Sequence, residues 1–267
     1  GSAQNFAVDW FENRLNEAKT EIDGLYKDFR LSEILKTIYS LIWDDFCSWY
    51  LEWVKPGFEQ PIDKRVYEKT TDFFEQLMQL LHPFMPFVTE EIYHQLRERS
   101  DDLTVKQLAQ PGSVKPKIAI LGSLLKEVIT AIRDARIKAQ LKPRDLIQLH
   151  ILSENAAPYK SIESFLAKQV NAEVAFTDTT INNSITVVVG KDKFFIAAAA
   201  LMDTSSQKDQ LVKDLDYQKG FLASVEKKLS NERFVQNAKP EVVEVEKKKK
   251  ADAEAKIKAI EESLQNL

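Results

Sequence analysis

The sequence is poor in glycine and cysteine, and each shortage narrows the class of protein. Only seven of the 267 residues are glycine, which argues against a glycine-rich nucleotide-binding fold and favours helices. The single cysteine, Cys47, cannot form an internal disulfide, so we expect a reducing compartment and a cytoplasmic location. The sequence also lacks an apolar run of the ~18 residues that a membrane-spanning helix needs. We therefore expect no membrane partner.

Positive charge is scarce over the chain as a whole. The formal net charge is −4, whereas a dedicated nucleic-acid-binding domain is usually basic. The deficit is local, however, because residues 1–112 carry 12 basic and 20 acidic side chains, residues 113–204 carry 12 and 9, and residues 205–267 carry 13 and 12. The charge therefore excludes an indiscriminate polycation but permits a nucleic-acid binder that recognises shape.

Composition changes at the same boundaries, which predicts three domains. These are a helical bundle over 1–112, a small α+β connecting domain over 113–204 and a coiled-coil arm over 205–267. The chain starts with Gly1 and Ser2 in place of methionine, which is typical of expression-vector sequence. We expect a piece of a longer protein.

Helical periodicity runs through the first domain. Apolar residues recur close to every 3.6 positions in the segments 6–23, 31–53 and 64–81. Thr89 is expected to cap a fourth helix, because its hydroxyl can accept a hydrogen bond from a free backbone N–H. Four helices with short loops predict an antiparallel bundle.

The pattern changes after residue 112. An amphipathic helix over 117–140 and a second helix over 159–170 are interleaved with β-branched or apolar segments. Those segments predict strands over 146–152, 173–178, 184–189 and 193–199. The expected sheet is mostly antiparallel.

The last domain has the spacing of a coiled coil. Apolar residues repeat at three, four and seven positions from Leu211 to Leu229, and a heptad seam runs from Val243 to Leu267 with Glu246 and Lys250 as polar members. The two arms either pack antiparallel or each pair with another chain. The predicted fold class is mainly α: an antiparallel helix bundle, a small α+β unit and a C-terminal antiparallel coiled-coil hairpin.

Residues that carry out catalysis or bind metals are scarce. The three histidines are scattered, and no pair has metal-binding spacing on one helix face, so no metal site is predicted. Adjacent carboxylates such as Asp44-Asp45 and Glu90-Glu91 point about 100° apart on a helix and do not converge as an acid/base pair. Gly190-Lys191 lacks the other residues of a phosphate-binding loop and predicts a hairpin turn. We expect no catalytic residues in this chain.

Three groups of residues have the chemistry to contact RNA. Aromatic rings stack on unpaired bases, and lysine and arginine contact phosphates. The candidates are Trp53, Lys55, Phe58, Lys64 and Arg65; Arg133, Arg136, Lys138 and Arg144; and Lys247, Lys248, Lys249 and Lys250. Two alternatives stay open, because helix-spaced aromatics often form a core and basic side chains often line a solvated helix face.

Several long motifs occur in the order found in one known family. Residues 42–52 (IWDDFCSWYLE) and 82–93 (HPFMPFVTEEIY) resemble the anticodon-binding bundle of class I aminoacyl-tRNA synthetases for valine, leucine and isoleucine. Residues 6–16 resemble the first helix of that bundle. Residues 228–235 (KLSNERFV) and 238–243 (AKPEVV) resemble the C-terminal coiled-coil arm of bacterial valyl-tRNA synthetases. The arm distinguishes the valine enzymes from the other two.

The resemblance implies tRNA docking. In that family the bundle holds the anticodon stem and loop, and the arm touches the outer corner of the L-shaped tRNA. An upstream active site joins valine to its tRNA with ATP and Mg²⁺. The resemblance therefore implies valine tRNA as the partner, no cofactor in these residues, a missing N-terminal catalytic core and no activity by this piece alone.

Two departures from the family pattern are visible. Ser48 stands where the family usually has an aspartate, and residues 207–210 (QKDQ) open the arm where the family tends to have a glutamate-led stretch. Neither departure removes the resemblance. We expect a monomer, and the alternative function is a protein-interaction module that dimerises through its heptads.

Overall fold

The structure, a computed structural model, describes residues 2–57, 59–197 and 204–265. The chain divides into two compact units, Gly1–Ser123 and Leu124–Leu267. The three-domain division expected from composition stays a prediction. None of the helices within the described ranges is long and apolar enough to cross a membrane.

The first unit is helical throughout its regular elements, which confirms the helices predicted over 6–23, 31–53 and 64–81. A π-helix continues directly from the second α-helix into the third, so these three form one unbroken rod. The elements are α1 (Ser2–Lys27), α2 (Leu31–Ser40), the π-helix (Leu41–Tyr50), α3 (Leu51–Val54), α4 (Lys64–Leu81), α5 (Pro86–Leu96) and a 3₁₀ turn (Leu103–Val105).

Two helix starts in this unit show how local sequence sets the element bounds. Asp63 precedes α4, and its side chain accepts a hydrogen bond from the Val66 N–H at 3.2 Å, which caps the helix. Helix α5 begins at Pro86, whose fixed φ suits the first helical position. The prediction that Thr89 caps α5 is therefore wrong. Thr89 is buried inside α5, and its hydroxyl donates to the Met85 carbonyl oxygen at 2.8 Å.

An aromatic cluster forms the centre of the first unit. The ring of Phe11 in α1 lies 5.1 Å from Phe46, 5.0 Å from Tyr50 and 5.1 Å from Phe73, measured between centroids. All four rings are buried. Such pairs contribute about 0.5–1.5 kcal/mol each beyond the area they bury. Burial also raises the pKa of Tyr50 to about 12, although a hydrogen bond to Thr70 acts in the opposite direction.

The segment before α6 (Pro116–Lys138) is fastened to α1. The Gly112 N–H donates to the Asn16 side-chain oxygen at 2.9 Å. Further on, Gly122 in α6 lies against Trp10, and a Cβ at this position would stand 2.1 Å from the Trp10 Cδ1 atom. Real carbon atoms do not approach so closely, so only glycine fits this contact.

The second unit contains the elements β1 (Ile147–Leu152), α7 (Ala157–Val170), β2 (Ala172–Phe176), β3 (Ile185–Val189) and β4 (Asp192–Ala197). Its four strands form one sheet in the order β2-β1-β4-β3. Strands β1 and β2 are parallel, whereas β4 is antiparallel to both β1 and β3, which confirms a mostly antiparallel sheet. Gly190 adopts φ +60 in the tight turn between β3 and β4, as its hairpin signal predicts.

The C-terminal part of this unit is an intrachain hairpin of two long helices. Helices α8 (Thr204–Leu229) and α10 (Pro240–Gln265) flank a short helix, α9 (Glu232–Asn237). Ion pairs join position 219 to 261, 226 to 250 and 228 to 246, so residue numbers fall along α8 as they rise along α10. The two helices therefore run antiparallel. Glu246 is buried at 6% exposure, as its seam position predicts, and Leu267 lies outside the described residues.

Candidate nucleic-acid interface

The aromatic candidate Trp53 lies inside the first unit. It is 1% exposed, and its ring centroid is 4.5 Å from Trp10 and 5.7 Å from Trp49. A ring enclosed by other rings is closed to an RNA base, so the prediction for Trp53 needs correction to a core role. Its place at a helix end suggested exposure, but α1 covers it. The neighbouring candidate Phe58 lies outside the described residues.

Three predicted cations follow this helix and are exposed. Lys55 comes directly after α3, and Lys64 and Arg65 form the start of α4. Each lysine has its own glutamate partner one helical turn away: the Lys55 ammonium group lies 3.5 Å from one carboxylate and the Lys64 ammonium group 3.7 Å from another. Arg65 donates to the Asn5 side-chain oxygen at 3.3 Å. Exposed contacts of this kind contribute little to stability. The cations therefore keep their capacity to contact phosphate.

Arg136 in the second group is a buried structural residue. It is 4% exposed, and its guanidinium donates to the backbone carbonyl oxygens of Val170 and Asp145, each at 2.7 Å, and of Lys142. Burial lowers the pKa of Arg136, with Asp145 acting in the opposite direction. The RNA-binding prediction for Arg136 therefore needs correction. Its guanidinium N–H groups hold the end of α6 to the segments that precede β1 and β2.

The other three members of this group are exposed. The Lys138 ammonium pairs with Asp214 at 2.7 Å, and Arg133 donates to the Gln169 carbonyl oxygen at 3.3 Å. Arg144 lies in the loop after α6. Their side chains stand at the surface, where a phosphate can reach them.

The four lysines of the run on α10 differ in whether they form ion pairs with the hairpin's own carboxylates. Lys249 pairs with the buried Glu246 at 2.7 Å, and Lys250 reaches across to Glu226 on α8 at 2.9 Å. Lys247 pairs with a glutamate three residues earlier at 2.7 Å. For Lys248, which is exposed, no ion pair is recorded within the described ranges. Lys248 is therefore the member of the run whose charge is least neutralised locally.

The pKa values of the hairpin carboxylate and lysine reflect these contacts. The hydrogen bond from Lys249 lowers the pKa of Glu246, against the opposing effect of desolvation, and Lys228 adds to the lowering. The hydrogen bond to Glu226 raises the pKa of Lys250. Both groups thus stay charged over a wider pH range than they would in an unfolded chain.

The sequence pattern did not separate one exposed aromatic pair, on α2 and the π-helix, from the buried aromatic residues around it. Tyr39 is 61% exposed and Trp43 is 59% exposed, and their ring planes lie within 14° of parallel. Other rings of the same rod, including Phe46 and Tyr50, point into the core. The signal in the sequence is the four-residue spacing of Tyr39 and Trp43, which places them together on one helix face.

Glu90, His94 and Asp102 present ligand atoms that all lie within 4.8 Å of one another. The spacing of the histidines alone does not reveal this group, because two of its members are acidic. Glu90 accepts backbone hydrogen bonds from Leu103 at 2.7 Å and Thr104 at 3.1 Å, and these outweigh desolvation and lower the pKa of Glu90. Because backbone N–H groups of the protein already donate to both carboxylate oxygens of Glu90, we infer that the three residues hold the 3₁₀ turn in place.

Asp44 and Asp45 do not converge, as predicted. Asp45 is buried and accepts a hydrogen bond from the Arg14 guanidinium at 3.1 Å, whereas Asp44 is exposed and accepts one from Ser40 at 2.7 Å. Two carboxylates with separate partners and opposite exposure do not form an acid/base pair. Their roles are structural.

Two family models match successive parts of the chain. Residues 9–151 match the anticodon-binding domain of tRNA ligase, and residues 203–267 match the valyl tRNA synthetase tRNA binding arm. The first match runs from within α1 into β1, and the second covers the hairpin. These matches confirm the resemblance seen in the motifs.

Several curated proteins similar to this chain are valine–tRNA ligases. A valine–tRNA ligase of Porphyromonas gingivalis is 41% identical over 99% of this chain, one of Phocaeicola vulgatus is 40% identical over 97%, and one of Listeria monocytogenes is 31% identical over 97%. The chain spans about 30% of the length of each of these relatives.

Proposed function

Because this chain belongs to the tRNA ligase family whose anticodon-binding domain matches residues 9–151, we propose that it is the tRNA-binding part of a valine–tRNA ligase. The first unit binds the anticodon stem and loop, and the α8–α10 hairpin contacts the outer corner of the tRNA. The longer protein attaches valine to its tRNA with ATP and Mg²⁺. One observation carries the proposal: both tRNA-binding family models match a single chain, in order.

The physical role of these contacts is positioning. A tRNA held at two well-separated places has little freedom to rotate, so its acceptor end is delivered to a distant active site in a narrow range of orientations. The exposed lysines of the hairpin and the cations at the start of α4 supply phosphate contacts for this purpose. These residues are charged groups on rigid helices, which favours a defined docking geometry.

The Gly190 turn does not fit the phosphates of ATP. Gly190 forms the tight turn of a β-hairpin, whereas a phosphate-binding loop joins a strand to the N-terminus of a helix. In the proposal, ATP and Mg²⁺ therefore bind to another part of the longer protein. We expect the chain by itself to be inactive in aminoacylation.

Binding to valine tRNA across a salt series tests this function. If the chain contacts phosphates through several lysines and arginines, the logarithm of affinity falls linearly with the logarithm of salt, by roughly 0.7–0.9 per phosphate contact. A tRNA for another amino acid serves as the control for specificity. An affinity that does not change with salt concentration, or no binding at millimolar RNA, would contradict the proposal.

The monomeric state is part of the proposal, and dimerisation is the competing one. The α8–α10 seam, including Val225 and Ala253, is buried within one chain, so the heptads need no second copy. Sedimentation equilibrium over a hundredfold range of protein concentration separates the two. A constant monomer mass supports the hairpin, and a mass that doubles with concentration supports a dimerisation module.

A further inference from the structure

Tyr39 and Trp43 form an exposed aromatic pair on the first unit. Their ring centroids are 6.4 Å apart and their planes are within 14° of parallel. Each side chain is more than half exposed, whereas Phe46, Tyr50 and Trp53 on the same helical rod are buried. Rings left in water forgo the free energy of burial, so two exposed rings side by side are informative.

The backbone that carries Trp43 is unusual. Trp43 lies in the ten-residue π-helix Leu41–Tyr50, and π-helical segments are rare and often occur at functional sites. The Ser48 hydroxyl donates to the Trp43 carbonyl oxygen at 2.9 Å, which supports this wider turn. An ionised aspartate at position 48 has no proton to donate, so this chain supports the turn through serine.

A cation accompanies the pair. Lys36 precedes Tyr39 by three residues and Trp43 by seven, which places all three on the same face of the helical rod. Lys36 is exposed, and the described part of the chain records no ion pair for it. Stacked rings beside a cation are the usual means by which proteins hold unpaired RNA bases, with the ring taking the base and the cation its phosphate.

We propose that Tyr39 and Trp43 are a stacking platform for an unpaired base of the bound tRNA, with Lys36 contacting the adjoining phosphate. This inference rests on the proposed function and deepens it by naming a base-contacting surface. The pair lies within the residues that match the anticodon-binding family model. The parallel rings and the cation favour RNA over a protein partner, because a protein partner needs only a complementary shape and apolar area and no such combination.

The test compares two substitutions at Trp43. Trp43→Leu keeps an apolar side chain but removes the ring, whereas Trp43→Phe keeps a ring. We expect Trp43→Leu to weaken binding of valine tRNA about fivefold or more and Trp43→Phe to bind nearly as the parent chain does, because stacking contributes about 1–3 kcal/mol per base. Ile120→Ala, at an exposed apolar position on α6 away from this rod, is the control and should leave affinity unchanged.

The salt series separates stacking from charge. Trp43→Leu should leave the salt slope as it is, whereas Lys36→Gln should reduce the slope by about 0.7–0.9. Circular dichroism checks that each variant keeps its helices. Equal affinities of Trp43→Leu and the parent chain for tRNA would overturn the platform while the proposed function stands. Failure of the unaltered chain to bind tRNA would overturn both.

Discussion

The ammonium group of Lys250 on α10 lies 2.9 Å from the carboxylate of Glu226 on α8. This ion pair joins the two arms of the hairpin, and the hydrogen bond raises the pKa of Lys250. Lys248, two residues earlier, has no such pair recorded in the described ranges and is exposed. The four-lysine run is thus not uniform, since its members differ in how far the hairpin neutralises them.

We predict that Lys248→Gln lowers tRNA affinity and Lys250→Gln lowers it less. A lysine without a carboxylate partner offers its full charge to a phosphate, so its loss should reduce the salt slope by about 0.9. Lys168→Gln, an exposed lysine on α7, is the matched control for a general loss of charge. Fluorescence anisotropy with labelled valine tRNA at several salt concentrations measures these slopes. A larger effect of Lys250→Gln would contradict the division of the run.

Replacing Arg136 should destabilise the second unit. Arg136→Met leaves the carbonyl oxygens of Val170 and Asp145 without their charged donor, which costs roughly 3 kcal/mol for buried groups. Arg136→Lys should recover only part of the loss, because an ammonium group cannot reproduce the planar fork. Urea unfolding gives the change in midpoint. An unchanged midpoint for Arg136→Met would show that these hydrogen bonds are not stabilising.

Adding one methyl group at Gly122 should be costly. Gly122→Ala places a Cβ 2.1 Å from Trp10, so the ring or α6 must shift, and overpacking of this kind costs about 1–3 kcal/mol. Gly24→Ala in α1 is the control, since its Cβ meets nothing within 4 Å and alanine should gain about 0.5–1 kcal/mol in a helix. Thermal unfolding compares the two. A Gly122→Ala protein as stable as the parent would refute the close contact.

Acid should loosen the hairpin through Glu246. Its pKa is lowered by folding, so its contribution to stability is present above the ordinary glutamate value of 4.5 and is lost as pH falls through the folded pKa. Glu246→Gln should therefore be less stable than the parent at pH 7 and approach it as pH falls below 4.5. Denaturant titrations of both chains at several pH values give this difference. A difference independent of pH would exclude the ion pairs as its cause.

The heptad spacing predicted the buried place of Glu246 correctly, because a seam position is a matter of local geometry. Arg136 was indistinguishable in sequence from its exposed neighbours, since burial depended on carbonyl oxygens supplied by distant segments. Trp53 looked accessible at a helix end, but ring contacts with α1 enclose it. Thr89 was displaced from the cap by Pro86, whose rigid ring starts the helix earlier. Element type was thus predictable from periodicity, whereas side-chain environment required tertiary contacts.

We propose that this one chain contacts tRNA at two separated places on the tRNA. Hydroxyl-radical footprinting of valine tRNA with the full 267-residue chain tests it most directly. We predict simultaneous protection of the anticodon stem-loop and the outer corner, with the corner signal reduced by Lys248→Gln. Protection confined to one of these regions, or spread evenly along the backbone, would contradict it.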